Sequence, residues 1–238
     1  MTTLTTSPPR VRRRLGVEER KRQLTGVALE LLGRHAPDDV SLDDIATAAG
    51  ISRPLVYHYF PGKQSLYEAA LRRAADDLVR RFDEPLTGPF GARLLRAMGR
   101  FFDFVDEHGP GFAALMRGGA SPVGGAAAGR GVVDGVRRAA YDEVLRHLGV
   151  ADEPPQRLRI VVRSWVSLAE TTALTWLEDR AVPRAELELQ LVQDFAVLAA
   201  VSAARDEEMA ALLGRVLAAE PPDGPLAGLA ARLGGARG

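Results

Sequence analysis

Three properties of this sequence predict an all-α fold. Apolar residues recur at three- and four-residue spacing in segment after segment. No stretch alternates apolar and polar residues as a half-buried strand does, and Gly/Pro/Asp clusters cut the chain into pieces of helical length. The expected architecture is an N-terminal three-helix helix-turn-helix domain followed by a C-terminal helical bundle. Its parts are a basic disordered arm over 1–17, the helix-turn-helix with its connecting helix over 18–82, a helical domain over 83–205 and a helical tail over 206–238.

Of 238 residues, 46% are hydrophobic and 26% charged, the balance of a globular chain with room for one large or two smaller domains. Cysteine is absent, which excludes disulfides and cysteine-ligated zinc and fits a reducing compartment. No apolar run approaches the ~20 residues of a membrane span, and the opening residues lack the apolar core of a signal peptide. A cytoplasmic protein with no membrane partner and no cofactor is expected. The formal net charge is +0, yet residues 1–22 hold seven basic groups against Glu18 and Glu19, a local excess of +5 that leaves −5 for the remainder. Positive charge is thus gathered where a phosphate backbone would want it. The arm is either a contact to DNA backbone or minor groove or a solvated tail.

From Glu18 to about Arg34, Leu24, Val27, Ala28, Leu31 and Leu32 share one helical face. Gly26 and Gly33 each weaken that helix by ~1 kcal/mol, and Pro37 with Asp38 and Asp39 ends it. The stretch Val40 to Lys63 then reads as two short helices about a tight turn. Ser41 caps the first, Asp44 can return the bond as in a capping box, and Leu42, Ile45 and Ala48 form its apolar face. Gly50 supplies a positive φ, Ile51 plugs the angle, Ser52 caps the second helix, and Pro54 occupies its first turn. This is the pattern of a helix-turn-helix, whose second helix enters a DNA groove. After the Phe60-Pro61-Gly62 turn, Lys63 opens a helix to about Phe82, with Leu66, Ala69, Ala70, Ala74, Leu78 and Val79 at its apolar positions. Pro85, Gly88, Pro89 and Gly91 mark a domain boundary. Further helices are expected at 91–107, 111–117, 132–148, 156–179 and 185–204, then Glu207–Ala219 and Pro225–Leu233.

The order Ile45-Ala46-x-x-Ala49-Gly50-Ile51-Ser52, Val56-Tyr57-x-Tyr59-Phe60 and Lys63-x-x-Leu66 resembles the DNA-binding domain of TetR/AcrR-type transcriptional regulators over roughly residues 18–70. The resemblance implies a homodimer that binds near-palindromic double-stranded operator DNA, typically as a repressor, and releases it when a small apolar or amphipathic molecule fills the C-terminal domain. On the second helix Arg53, Pro54, Tyr57 and His58 share a face at ~100° per residue, while Val56 and Phe60 point to the core. Arg53 can pair with guanine N7 and O6 or hold a phosphate. Tyr57 in such proteins gives its hydroxyl to phosphate, and Lys63 binds phosphate at a helix start. His58 reaches a base edge or the backbone, and Tyr59 is either a phosphate contact or a core aromatic. Ser41 and Ser52 contact phosphate or serve as plain caps. Leu55, where the family favours a smaller residue, touches a thymine methyl or loosens one contact. Asp43 and Asp44 set negative charge where DNA would lie.

In the C-terminal half, Gln156–Glu178 is apolar on two sides, and the helix around Leu187, Leu191, Phe195, Leu198 and Ala199 is similar. The two are expected to pair with their copies as a four-helix dimer seam. Phe101, Phe104, Phe112, Met116, Trp165 and Trp176 are either packed core or the walls of a ligand pocket, with Glu170 and Thr172 as its polar groups. The Gly-rich 118–131 stretch flanks the entrance or is simply a loop. An enzyme is not expected: histidines stand singly without metal-ligand spacing, the acidic pairs diverge, and phosphate loops and nucleophile elbows are missing.

Overall fold

The computed structural model describes residues 16–116, 126–150 and 152–227, and the described residues form nine α-helices, one 3-10 turn and no strand. Residues 1–15 of the basic arm, most of the Gly-rich stretch and most of the final expected helix lie outside them, and Val17, expected in the arm, opens the first helix. Helices α1 (Val17–Leu32), α2 (Leu42–Ala49) and α3 (Arg53–Tyr59), with a 3-10 turn at Pro37–Asp39, precede the long α4 (Lys63–Phe82). Then come α5 (Phe90–Met116), α6 (Ala126–Leu148), α7 (Gln156–Asp179), α8 (Arg184–Ala203) and α9 (Glu207–Ala218). No described helix is long and apolar enough to cross a membrane.

Local chemistry sets the α2–α3 corner. The Ser41 hydroxyl accepts from the Asp44 amide at 3.1 Å while the Asp44 carboxylate accepts from the Ser41 amide at 2.9 Å, so the capping box is complete. Gly50 takes φ +65, and the Ile51 amide reaches back to the Ala46 carbonyl at 3.0 Å, the long bond of a Schellman turn. Ser52 departs from expectation: it stands at the N-cap of α3 but its hydroxyl makes no capping bond. Pro54 has removed one amide that a cap would use, and the Leu55 amide donates instead to the Ser52 carbonyl at 3.0 Å.

Two apolar cores result. The first gathers Leu24, Ala28, Leu42, Ile45, Val56 and Phe60; the second is built on Phe102, Phe104, Val105, Leu158, Val162, Leu191 and Phe195. Helix α4 belongs to both, burying Leu66, Tyr67, Ala70 and Leu71 in the first and Ala74, Ala75 and Leu78 in the second. Helices α7 and α8 form an antiparallel hairpin, turned through Arg180 at φ +51 and clamped by Trp176 Nε1 on the Val182 carbonyl at 3.2 Å. Trp165 Nε1 donates to the Leu191 carbonyl at 2.7 Å and fixes the hairpin's register.

Two boundaries differ from expectation. The helices placed at 91–107 and 111–117 run together as α5, with a break in helical geometry confined to His108 (φ −119, ψ 15). Pro110 denies its turn one hydrogen bond, which kinks the rod rather than ending it. Helix α6 begins at Ala126 and not near 132, because the glycines there are outweighed by alanine, the best helix former. Gly33 also has a reason that local propensity hides. A Cβ at that position would lie 2.8 Å from the Glu107 carbonyl oxygen, so the end of α1 can rest against the α5 kink only as glycine.

Just beyond α4, Glu84 is buried and accepts from Arg96 Nε at 2.6 Å and from Arg100, while its carbonyl accepts from Arg146 at 2.8 Å. Burial alone would raise the Glu84 pKa, but the bonds from Arg96 and Arg100 prevail and hold it below the ordinary carboxylate value. His147, beside Glu143 and Arg93, is held below the ordinary imidazole value chiefly by burial. Both shifts act in one direction: acid protonates each group more readily in the unfolded chain, so stability present at neutral pH falls first through the imidazole range and then through the carboxylate range. Glu84→Gln is expected to cost about 2 kcal/mol, the worth of charge-assisted hydrogen bonds. Urea denaturation against pH should show the variant losing less stability than the parent as pH drops through the carboxylate range.

Candidate nucleic-acid interface and cavity

Helix α3 presents Arg53, Pro54, Tyr57 and His58 to solvent, with Ser52 exposed just ahead of it, and sinks Val56 and Phe60 into the first core. Leu55 and Tyr59 are half-buried, and Tyr59 packs against that core with its ring edge-on to His58 at 5.0 Å. The structure therefore places Tyr59 as a core aromatic more than as an outward hydroxyl. Ser41 is exposed, but its hydroxyl is engaged with Asp44 both as donor, at 2.5 Å, and as acceptor. These bonds from the Ser41 hydroxyl and amide keep the Asp44 carboxyl below its ordinary value. Lys63 is half-buried and its ammonium donates to the Asp38 carbonyl at 3.2 Å, tying the start of α4 to the 3-10 turn. The N-terminus of α4 has no side-chain cap, so its first amides remain available to an anion.

Arg53 is already partnered. Its Nη1 lies 3.0 Å from the Asp43 carboxylate of α2, its Nη2 is 3.4 Å from the Tyr57 hydroxyl, and its guanidinium sits 5.6 Å from the centre of the Tyr57 ring. The hydroxyl and the carboxylate together raise the arginine's pKa. The negative charge of α2 thus orients the arginine of α3, which the sequence spacing did not show.

The C-terminal cavity is smaller and differently walled than the aromatic residues suggest. It is a half-open recess of about 50 Å³ between α4, α5, α6 and α7, with Leu78, Phe82, Met98, Phe101, Val136 and Trp165 among its walls. Of the eight expected pocket residues, Phe101, Met116, Trp165 and Glu170 line it. Thr172 and Trp176 instead face a separate surface recess of about 200 Å³. Phe104 and Phe112 are packed core: Phe104 lies edge-on to His108 at 4.4 Å, and Phe112 to Phe101 at 6.0 Å. Sequence reasoning passed over Arg137, whose Nε and Nη2 donate to Glu170 at 2.9 and 2.7 Å across the α6–α7 contact. The i, i+4 pair Val136 and Ala140 was the signal that could have brought α6 to the cavity.

The fold also gathers Asp77, Glu107 and His108, with ligand-type atoms within 4.8 Å of one another. The histidine is therefore not solitary, as sequence spacing implied. Arg81 bonds both carboxylates, reaching Asp77 at 3.0 Å, so the cluster is an ion-pair network at the junction of α4 and the α5 kink.

A helix-turn-helix at one end and a bundle enclosing an apolar cavity at the other, sharing one helix, define a DNA-binding transcriptional regulator. Residues 24–70 match the family described as bacterial regulatory proteins, tetR family, and residues 90–198 match the tetracyclin repressor-like C-terminal domain. A TetR-family transcriptional regulator from Streptomyces coelicolor is 68% identical, superposes with a TM-score of 0.87, and is matched over 92% of this chain and 97% of that one. The chain belongs to the TetR family. It is also 29% identical over 175 residues to the HTH-type transcriptional activator FasR of Mycolicibacterium smegmatis, 72% of this chain and 78% of that protein. The regulator FadR of Bacillus subtilis in complex with stearoyl-CoA shares the fold, with a TM-score of 0.57 at 16% identity over 73% of this chain and 96% of that one.

If Arg53 meets DNA, its ion pair with Asp43 competes with that contact, and Asp43→Ala is expected to tighten binding to non-specific duplex about twofold, the scale of an exposed ion pair. Fluorescence anisotropy at low salt should show this, with a gain that vanishes as salt is raised. Unchanged affinity at every salt concentration would mean that Arg53 does not meet DNA.

Proposed function

We propose that this protein is a cytoplasmic, dimeric repressor that leaves a two-fold operator when a small apolar or amphipathic effector enters the cavity between α4 and α7. Helix α3 enters the major groove with Arg53, Pro54, Tyr57 and His58, and Ser52, Leu55 and Lys63 flank it. It acts by binding and not by catalysis.

The observation that carries this reading is the reach of α4. The helix has Lys63 at its DNA-facing start and Leu78 and Phe82 in the cavity wall. At 1.5 Å per residue, Leu78 stands about 22 Å along the axis from Lys63. A cavity of about 50 Å³ is far below the ~300 Å³ or more of a ligand site. An effector must therefore displace walls, and α4 is one of them. Helix α6 offers a second lever, with Val136 and Ala140 in the cavity wall and Val133 packed into the first core. Release requires that the effector prefer the state in which the two reading helices no longer match their half-sites.

The hairpin supplies a face for dimerisation. Of the α8 residues first expected there, Leu187, Leu191, Phe195 and Ala199 are buried within the subunit and Leu198 is half-buried. The outward apolar groups are Ile160 and Leu168 of α7 and Leu189, Val197 and Val201 of α8, with Ile160 and Val201 60% and 64% exposed. The Trp165–Leu191 bond holds the two rows on one hairpin.

Ile160→Glu combined with Val201→Glu is expected to give a monomer by sedimentation at micromolar concentration, with unchanged helical content and lost operator affinity. Tyr57→Ala and Lys63→Ala are expected to weaken operator binding across sequences; only Lys63→Ala, which removes a charge, should lower the salt slope, by about one unit if it removes one phosphate contact. Arg53→Ala should instead relax preference at one base position. Sign and release are tested together on a reporter driven by the protein's own promoter. Deletion of the gene should raise expression, and a screen of apolar ligands should yield one that displaces the protein; a fall in expression on deletion would make it an activator.

A further inference from the structure

The cavity is apolar except at one place. Among the described residues, the polar side chains on its wall are Arg137 and Glu170, bound to each other through two parallel hydrogen bonds at 2.9 and 2.7 Å. On the far side of Arg137 lies a second, polar cleft of about 570 Å³ bounded by Asp134, Arg138, Tyr141, Asp142 and Arg163. Arg137 thus borders both the apolar chamber and the charged cleft.

Its two halves are not equivalent. The Glu170 side chain is 12% exposed, whereas that of Arg137 is 43% exposed and has Asp134 as a second partner at 3.4 Å. A ligand that took Arg137 for itself would strand Glu170 in an apolar wall, beside a second negative charge. A ligand that took Glu170 would leave Arg137 to water and Asp134, both already at hand. Stranding a buried charge costs far more than moving an exposed one. The neighbouring cleft sets Arg137, Arg138 and Arg163 against Asp134 and Asp142, and its one surplus positive charge is matched from the chamber side by Glu170, to which Arg137 is bonded. Trp165, Phe101 and Phe82 supply aromatic wall on the chamber side, and aromatic faces attract cations.

The geometry points to an amphipathic organic cation as the effector class, its apolar body in the α4–α7 chamber and its positive head on Glu170 in place of Arg137. This rests on the reading of that chamber as the effector site. Swinging Arg137 into the cleft would also loosen the α6–α7 contact, the event that frees α6 to move.

The test uses the full-length dimer and three probes with one apolar body, decyltrimethylammonium, decanoate and decanol, each below its aggregation concentration. Affinity is read from the fluorescence of Trp165 and by calorimetry, and release from a promoter fragment is read in parallel. Expected are at least tenfold tighter binding of decyltrimethylammonium than of decanoate, loss of that preference in Glu170→Gln, and undiminished cation binding in Arg137→Gln. Preference for decanoate, equal binding of decanol, or loss of cation binding in Arg137→Gln overturns the proposal. The unsubstituted protein decides the first two outcomes even if a variant folds poorly. Release by decanol alone would leave the effector site standing and sink the cationic class. Charge-selective binding without release would do the reverse.

Discussion

The structure depends on one helix serving two cores. The N-terminal half of α4 is buried with the helix-turn-helix and its C-terminal half with the bundle, so neither unit can shift without turning or tilting the rod they share. A helix of 20 residues is stiff over its ~30 Å because each turn is bonded to the next. Small displacements at Leu78 therefore become displacements at Lys63. The ends of α4 are anchored in different ways. Lys63 is held by a single bond to a carbonyl, whereas the residues after Phe82 are pinned by the buried Glu84 and its arginines.

The α1–α5 junction adds a second constraint. Gly33 lies so close to the Glu107 backbone that a methyl group could not be fitted, and Arg81 ties Asp77 of α4 to Glu107 at the same place. Helices α1, α4 and α5 meet there with little slack. Movement in the bundle has a short path into the reader's core through close packing, which has a few discrete arrangements rather than a continuum.

How far the sequence foretold this varies with the range of the interactions involved. The α2–α3 corner was legible because its causes are local: Ser41 with Asp44, the positive φ at Gly50, Pro54 in a first turn, and Val56 and Phe60 on the inner face. Ser52 misled because its capping role depended on amides that Pro54 and the 3-10-like bond to Leu55 had removed. The cavity was half legible. Aromatic bulk drew attention to Phe104 and Phe112, which fill the core, while Leu78, Phe82 and Val136 form the wall. Arg137 and Glu170 stand 33 residues apart, and the groups around Glu84 are separated by 12 to 62. No periodicity within one helix can report such pairs. The outward apolar groups of α7 and α8 were hidden similarly, since an apolar pattern does not say which of its residues the subunit buries.

The Asp43–Arg53 pair has a consequence for how a regulator of this kind finds its site. A chain of DNA met at random offers phosphates, and a free guanidinium would grip any of them. Here the guanidinium already has an anion at 3.0 Å. If Arg53 reads a base as proposed, random sequence must displace a carboxylate for little gain, whereas a correctly placed guanine repays the exchange with two directed bonds. Dwell time on wrong sequence shortens while dwell time on the right one is spared. If Arg53 meets DNA as proposed, the carboxylate of α2 is an internal competitor that makes the contact more selective.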